Sequence, residues 1–459
     1  GWRVREANSG EGLWGRLRGR ATILVKRGIP YLGESDYDLG ICSPAGSGGR
    51  SASVSEQLPT TESVAAPHIG QGPRIFYFIQ FASGGAFFPY LSLYYKSIGL
   101  GEQMNILLAA TPVLLLVAAP MWGIVADKTR AHKQILVLAL VGTMLMAFVM
   151  LHIRSFGPML AAVIAFACLF APIIPLIDNT TLELLGNRRD LYGRHRIGGT
   201  LGWMLSALVS GWMVDQMGLR WAFLGYILLA GLAVPAALRL PVHGGPMGLS
   251  LAAGVRAFVG NRRWILFLGA ITTGGFGISL IHQYWAVHLD DLGYSRTFLG
   301  VTMLLMVATE IPVMLYASQI VRRYGPPRLL IVALLVMVVR LIGYSELHAA
   351  WQILGLQCLH GATFSLMWIA GVAHARAIAP EGMGATAQGL FSAAFSGIGV
   401  TLGALIGGGI YHAYDSNVMY RAGGLLVLGG AGLLGVSRML YGRGKGRFGA
   451  AFFSGDDSR

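Results

Sequence analysis

The stretch that decides the fold is residues 134–152, QILVLALVGTMLMAFVMLH. It contains no Asp, Glu, Lys or Arg, and an α-helix of roughly 20 apolar residues is long enough to cross a hydrocarbon core about 30 Å thick. Similar stretches recur along the chain after residue 74, and the loops between them are mostly short and rich in Lys and Arg. The chain is therefore predicted to cross a membrane many times.

Composition supports this class of protein. Hydrophobic residues make up 54% of the 459 residues, charged residues only 12%, and the mean hydropathy is +0.59. So few charges cannot solvate the surface of a water-soluble globule of this size, so lipid must cover much of it. The net charge of +14 lies mostly at helix ends, where anionic lipid headgroups explain it, and we expect no nucleic-acid partner. The three cysteines have no paired framework or metal spacing, so we expect no metal and no cofactor.

We predict an all-α integral membrane protein with twelve transmembrane helices in two six-helix halves. The spans are placed near residues 75–95, 104–126, 134–152, 157–182, 196–217, 221–240, 263–288, 297–320, 328–346, 350–375, 386–412 and 418–440.

The ends and the middle of the chain are predicted to lie outside the membrane. Residues 1–74 are rich in Gly and Ser and form a disordered N-terminal tail. A plastid or mitochondrial transit peptide is the alternative. Such peptides are poor in acidic residues, whereas this segment has seven acidic residues beside nine basic ones. The halves are residues 75–240 and 263–440, joined by a connecting loop at 241–262 and followed by a tail at 441–459.

Orientation follows from the basic residues in alternate loops. Eighteen Lys and Arg lie on one side, which includes Lys128 and Arg322, against five on the other, which includes Lys96. The positive-inside rule therefore predicts that both termini are cytoplasmic.

The two halves carry traces of a repeat. Span one ends in Tyr95-Lys-Ser-Ile-Gly99-Leu-Gly101, and span seven ends 194 residues later in Leu289-Asp-Asp-Leu-Gly293-Tyr-Ser295. The loop that contains Asp127 and Lys128 recurs at an offset of 195 as Arg322-Arg323-Tyr324-Gly325. Proteins built from two such halves usually place their functional cavity between them.

The loop between spans two and three carries a family signature. The segment Gly123-Ile-Val-Ala-Asp127-Lys128-Thr-Arg-Ala-His132-Lys133 resembles the cytoplasmic loop of the major facilitator superfamily. Gly123 is expected to allow close helix approach, and Asp127 and Lys128 to form a charge latch. Arg130 and His132 stand where the family usually has Gly and Arg.

A closer resemblance covers residues 74–440. Six short segments, in order and in the matching helices, resemble the lactose-permease-like branch, which includes proton-linked carriers of sugars, nucleosides and phenylpropionate. These are Phe87-Phe-Pro-Tyr-Leu, Tyr192-Gly-Arg-His-Arg196-Ile-Gly-Gly-Thr-Leu-Gly-Trp203, Glu310-Ile-Pro, Val339-Arg340-Leu-Ile-Gly, Leu359-His360 and Ala385-Thr-Ala-Gln-Gly-Leu-Phe. The resemblance implies two halves that alternate access to a central cavity.

Three ionisable residues are predicted to meet near the middle of the membrane. From a rise of about 1.5 Å per residue, Glu310, Arg340 and His360 lie at similar depth in spans eight, nine and ten. A charge there costs at least about 2.5 kcal/mol, so such groups normally face partners or a wet cavity. We expect a cluster in which Arg340 keeps a neighbouring carboxylate charged until a proton or solute competes. The alternative is a permanent structural ion pair.

The resemblance supports this cluster only in part. Arg340 and His360 match an Arg and a His of the permease pattern, but Thr363 replaces its proton-accepting carboxylate and Gln357 its basic residue before the His. The paired aspartates of span seven become Ser279 and His282. Glu310 is therefore the expected titrating group.

The first half is expected to bind the solute. By resemblance, Asp178, Arg196 and Trp203 match residues that bind sugar. A carboxylate and a guanidinium can bond to hydroxyls, and an indole can stack on a ring. The alternative is a salt bridge at the cytoplasmic end with Trp203 as an interface anchor.

Small residues at four-residue spacing are expected to be packing faces: Gly198, Gly202 and Ser206 in span five, and Gly399, Gly403 and Gly407 in span eleven. Glu183, His282, Gln283 and Gln388 are secondary candidates, which we expect to be structural.

Together these patterns predict a secondary transporter of a small polar organic solute rather than an enzyme, with proton symport and a monomeric state. An uncoupled facilitator or exchanger is one alternative. A receptor or scaffold on the same fold that transports nothing is the other.

Overall fold

The computed structural model describes residues 71–186, 188, 191–241, 260–380 and 383–441, and this part of the chain contains helices but no strand. The helix α1 consists of Gly72–Phe87 and Leu91–Ser97, joined by a 3₁₀ turn at Phe88–Tyr90. The others are α2 Met104–Thr129, α3 His132–Met150, α4 Phe156–Leu185, α5 Tyr192–Met217, α6 Arg220–Arg239, α7 Arg262–Asp291, α8 Arg296–Leu315 with an interruption at Thr309, a short helix at Ala317–Tyr324, α9 Pro326–Glu346, α10 Ala350–Ile378, α11 Thr386–Ala413 and α12 Ser416–Tyr441.

Eleven of these helices, α2 to α12, are long and apolar enough to cross a membrane by length and composition. The turn that contains Pro89 interrupts α1, which reaches spanning length only as the sum of its pieces. Large apolar side chains lie exposed on the outward helix faces, for example Met121 at 60% and Leu228 at 65%. Such faces are stable only against lipid, so the prediction of a twelve-helix membrane protein is confirmed.

The predicted repeat is visible in backbone geometry. Gly99 and Gly293, which are 194 residues apart, have φ values of 83° and 79° and end α1 and α7 in the left-handed conformation that favours glycine. The same 2.9 Å hydrogen bond closes both helix ends, from Leu100 N to Tyr95 O and from Tyr294 N to Leu289 O. The two halves therefore end their first helix in the same way.

The first and fifth helices of each half cross in the same way. Tyr90 of α1 donates to the carbonyl oxygen of Ala207 on α5 at 3.0 Å. Tyr284 of α7, also 194 residues later, donates to that of Ala404 on α11 at 2.5 Å. Each half thus uses a buried tyrosine to tie its first helix to its fifth.

The predicted glycine faces lie in these crossings. A Cβ on Gly202 would clash with the carbonyl oxygen of Phe78 on α1. One on Gly403 would lie 2.6 Å from the carbonyl oxygen of Phe276 on α7. Only glycine lets the backbones approach this closely, as in membrane helix pairs generally.

The halves meet through α5 with α8 and through α2 with α11. They are also joined by polar contacts at one end, which we call the Lys96 end after Lys96 of α1. There Lys96 Nζ lies 2.7 Å from Asp291 Oδ1 of α7. Asp215 of α5 accepts the backbone N–H groups of Arg296 and Thr297 at the start of α8, at 2.8 and 2.7 Å. The halves are therefore in contact at this end, and the opposite end, where α2 finishes, is called the Lys128 end.

Most of the tails and of the connecting loop lie outside the described residues. Residues 1–70, 242–259 and 442–459 belong to this group, so the boundaries given for these segments remain predictions. Helix α1 begins at Gly72 rather than near residue 75, because Pro73 provides a favourable first turn.

Candidate functional site

A cavity of about 260 Å³ lies between the halves. Helices α1 and α5 of the first half and α7, α8 and α10 of the second half form its wall. Its lining residues are Phe81, Pro89, Thr200, Trp203, His282, Met303, Met306, Val307, Glu310 and Phe364. The wall is therefore mostly apolar and aromatic, with one carboxyl, one imidazole and one hydroxyl group.

One face of α8 supplies four of these residues. Met303, Met306, Val307 and Glu310 are spaced at i, i+3, i+4 and i+7, which places them on one side of a helix. Glu310 lies on this wall directly after the interruption of α8 at Thr309, and its side chain is 12% exposed.

A close helix crossing brings α10 to Glu310. The N–H of Gly361 donates to Thr309 Oγ1 at 3.2 Å, and a Cβ on Gly361 would clash with the carbonyl oxygen of Thr309. A π-helical turn at Gly361–Ser365 follows, a feature that often marks functional sites. The missing side chain at Gly361 thus allows His360 to reach the carboxyl group.

Glu310, His360 and Arg340 form a linear chain. His360 Nε2 lies 3.0 Å from Glu310 Oε1, and Arg340 lies 3.1 Å from His360 Nδ1. Both His360 and Arg340 are 0% exposed. The structure thus brings the three predicted residues together, but in an order that helix depth alone does not give.

The hydrogen-bond network assigns the proton on His360. Arg340 has only donors, so Nδ1 of His360 must accept from it. A neutral His360 then carries its hydrogen on Nε2 and donates to Glu310. The imidazole therefore links the charge of Arg340 to that of Glu310.

Arg340 directs its donors to neutral acceptors. It bonds to Thr363 Oγ1 at 2.7 Å, to Gln357 Oε1 at 3.0 Å and twice to the hydroxyl of Tyr344, besides His360. We expected Arg340 to neighbour a carboxylate directly, but in the structure it reaches Glu310 through His360. The physical reason is that Thr363 and Gln357, which replace charged residues of the permease pattern, accept hydrogen bonds from the guanidinium.

Two aromatic side chains face each other across the cavity. Trp203 stacks on Phe88 with ring centres 6.2 Å apart, and a Cβ on Gly84 of α1 would lie 2.9 Å from its ring. Phe364 on the opposite side stacks on His360 at 5.7 Å. Packing therefore fixes both rings before any solute enters, which suits the stacking of a flat ring.

Asp178 and Arg196 lie beside this cavity. Arg196 Nε is 3.9 Å from Asp178 Oδ1, and Tyr77 donates to the same carboxylate at 2.5 Å. The guanidinium of Arg196 lies 4.1 Å from the ring centre of Phe81, which itself lines the cavity. The two charged residues lie together, but neither lines the cavity, whereas Trp203 does, so the three do not share one wall.

The predicted loop motif has a local geometry. Gly123 is buried within α2, and Asp127 Oδ1 lies 3.3 Å from Nε2 of His132 at the start of α3. Lys128 lies in the last turn of α2, where a positive charge suits the helix dipole. Arg130 follows with φ 54°, the left-handed conformation for which the family has Gly. His132 thus replaces the usual basic partner of Asp127.

Some residues of the cavity wall were not predicted from the sequence. His282 was expected to be structural but lines the cavity, 5.6 Å from His360 between ring centres. Phe81 and Thr200 also line the cavity, although neither was predicted to be a site residue. The helical spacing from Met303 to Glu310 was a signal that could have identified the apolar wall beside the carboxyl group.

Comparison with known proteins identifies the family to which the chain belongs. The sequence model described as the MFS_1 like family matches residues 74–422, so the chain belongs to this family and thus to the major facilitator superfamily. It is 28% identical to the maltose permease of Geobacillus stearothermophilus over 351 residues, which are 75% of this chain and 89% of the permease. It is 24% identical to the lactose permease of Citrobacter freundii over 304 residues, 60% and 72% of the two chains.

A solved structure has the same fold. The crystal structure of the nucleoside transporter NupG superposes with a TM-score of 0.69 at 18% identity, over 82% of this chain and 99% of that one. The protein is a multi-pass membrane transporter of the major facilitator type and not an enzyme.

Proposed function

We propose that the protein is a proton symporter for a small, ring-containing polar solute, which binds between Trp203 and Glu310. The observation that carries this proposal is a titratable carboxyl on the cavity wall, linked to the buried charge of Arg340 through one imidazole. The maltose, lactose and nucleoside carriers that the chain resembles support a solute of this general kind.

The chain of three residues supports coupling through charge balance. With Glu310 ionised, its negative charge offsets that of Arg340 across His360. A proton on Glu310 removes this attraction and leaves the group with one net positive charge at mid-membrane, which is unfavourable in low dielectric. Protonation therefore favours a different arrangement of α8, α9 and α10, and such differential binding couples a proton to a conformational equilibrium.

The lining supports a small solute with few hydroxyl groups. The volume of about 260 Å³ lies below the range typical of drug-sized ligands, roughly 300–1,000 Å³. Each hydroxyl group buried without a partner costs about 1–3 kcal/mol, and the wall offers few polar groups, those of Thr200, His282 and Glu310 and the indole N–H of Trp203. A nucleoside or an aromatic acid therefore fits this wall better than a disaccharide does.

The orientation and the conformational cycle complete the proposal. With both termini cytoplasmic, the Lys96 end faces the outside, and the contacts of Lys96 and Asp215 close that side. Transport then requires these contacts to break while the Lys128 end closes. Asp178 and Arg196, beside the cavity, are proposed to guide the solute past Phe81. The loop between α2 and α3 is proposed to be held in place by Gly123, Asp127 and Lys128.

The test is solute uptake by the purified protein in liposomes under an imposed pH gradient, with a panel of nucleosides, aromatic acids and sugars. We expect accumulation that collapses with the gradient. In Glu310→Gln, which keeps the shape but cannot ionise, we expect gradient-driven accumulation to fall at least about tenfold, while exchange of internal for external solute persists.

The matched control is Glu346→Gln. Glu346 is half-exposed and pairs with Arg421 at the Lys96 end, so accumulation should stay close to that of the wild type. Equal uptake with and without a gradient would instead support an uncoupled facilitator, the function favoured by the neutral acceptors around Arg340. No uptake of any solute would support a receptor.

A further inference from the structure

A second cavity of about 340 Å³ lies at the Lys128 end of the second half, away from the transport cavity. The starts of α7 and α9 and the ends of α10 and α12 surround it. Five of its polar lining residues are Arg263, Arg328, His374, Ser437 and Arg438. Three guanidinium groups, one imidazole and the hydroxyl-bearing side chains of Ser437, Tyr324 and Tyr441 thus surround one space.

Within the described part of the chain, no carboxylate lines this cavity or pairs with its arginines. The lining residues of the cavity contain neither Asp nor Glu. Among the ion pairs of the described residues, none involves Arg263, Arg328 or Arg438. Three like charges that converge on one cavity repel one another, so a bound anion would stabilise them.

His374 provides an independent indication of a ligand. It is 4% exposed, lines the cavity, and its Nδ1 has no hydrogen-bond partner among the described residues. The ring packs edge to face on Phe267 at 5.0 Å, which fixes its position. A buried polar atom without a partner is costly, and natural proteins usually satisfy it with a ligand or water.

The internal repeat shows what is different here. In the first half, Asp127 supplies a carboxylate that pairs with His132. The residue 195 positions later is Arg322, so the second half has a positive charge where the first has a negative one. The offset also relates Lys133 to Arg328. The second half has therefore kept two basic residues of this loop, Arg323 and Arg328 for Lys128 and Lys133, and lost its acidic one.

We propose that this cavity binds a phosphate group, carried either by a lipid headgroup or by a soluble phosphate compound. Guanidinium groups bond to phosphate oxygens in pairs, and three of them with Ser437 match a phosphate group in charge and in donors. The site lies at the ends of α7, α9, α10 and α12, where their spanning segments stop and lipid headgroups begin. It is independent of the solute and of proton coupling.

The experiment uses the full chain in dodecyl maltoside micelles, which contain no phosphate, with or without added phosphatidic acid, and, in a separate arm, with added inorganic phosphate. We expect one arm to raise Tm of the wild type and native mass spectrometry to detect the same probe bound. In the double variant Arg263→Gln/Arg438→Gln, the affinity for that probe should fall about tenfold for each lost charged contact. Arg130→Gln/Arg421→Gln, which removes two arginines elsewhere, should bind as the wild type does.

A second variant keeps the test independent of folding defects. Ser437→Glu places a carboxylate among the arginines, so it should raise Tm without any probe and abolish the response to the probe. A response to phosphatidic acid alone identifies a lipid ligand, and a response to phosphate alone identifies a soluble one. A response that Arg263→Gln/Arg438→Gln retains in full, or no response in either arm, overturns the proposal.

Discussion

Arg340 carries a fully buried positive charge in the second half of the protein. Its guanidinium is fully buried, and its hydrogen bonds go to neutral groups on α9 and α10. Its charge is offset only across His360, by Glu310. A buried pair of this kind is a weak source of stability by itself, but the loss of one partner leaves an uncompensated charge.

The first prediction concerns this pair. Arg340→Gln should lower the free energy of unfolding by about 3 kcal/mol or more, because Glu310 is left alone at mid-membrane. Arg340→Gln/Glu310→Gln should be more stable than Arg340→Gln, because it removes the remaining charge. Thermal unfolding of the purified variants in detergent measures both effects.

The exposed pair of Glu346 and Arg421 provides the control cycle. Their side chains are 50% and 53% exposed, so the same two substitutions there should show a coupling below about 1 kcal/mol. Additive effects of the two changes at Arg340 and Glu310 would contradict the linkage through His360.

At the level of helices, the equivalent turns of the two halves place different residue types at a positive φ. Arg130 after α2 and Gly325 before α9 are 195 residues apart, and both have positive φ, but Arg130 (φ 54°, ψ 22°) is in the left-handed helical region and Gly325 (φ 76°, ψ 145°) is in a region that favours glycine alone. Glycine adopts either conformation without strain, whereas a residue with a Cβ is strained in both. The first half therefore retains strain at Arg130 that the second half has avoided.

The second prediction follows from this difference. Arg130→Gly should raise the free energy of unfolding by about 0.5–1 kcal/mol, and Gly325→Ala should lower it by a similar or larger amount. The readout is Tm in phosphatidylcholine nanodiscs. A fall in Tm for Arg130→Gly would show that its side chain makes a contact worth more than the strain.

At the scale of the whole molecule, Asp215 links the halves through a helix start. Its carboxylate accepts the N–H groups of Arg296 and Thr297 and the hydroxyl of Thr297, although Asp215 belongs to α5 and the helix it caps is α8 of the other half. The positive end of the helix dipole strengthens these bonds. This cap forms only while the Lys96 end is closed.

The third prediction uses this cap. Asp215→Ala should favour opening at the Lys96 end by about 1–2 kcal/mol, a shift of roughly 5- to 30-fold in the equilibrium. Distances between spin labels on α1 and α7 at that end measure the shift.

Asp415→Ala is the matched control for this prediction. Asp415 caps α12 at Val418 with a 2.7 Å bond inside one half, so the variant should lose similar stability without any opening. Equal opening in both variants would show that the loss of any helix cap loosens the molecule.

Features that depend on one helix at a time could be predicted from the sequence. Apolar length placed the spans, the repeat of Tyr95 to Gly99 indicated two halves, and helix rise predicted a similar depth for Glu310, Arg340 and His360. The prediction of the spans is confirmed, because a bilayer of fixed thickness constrains each span separately.

Which side chains become neighbours depends on how distant segments pack. The contact of Gly361 with Thr309 sets the distance between α8 and α10, so it fixes His360 between Glu310 and Arg340. Likewise, Arg196 of α5 packs against Phe81 of α1 and lies outside the cavity lining, whereas Phe81 and Trp203 belong to it. Depth is a property of one chain segment, whereas the direction in which a side chain points depends on the rotation of each helix against its neighbours, which packing between distant segments determines.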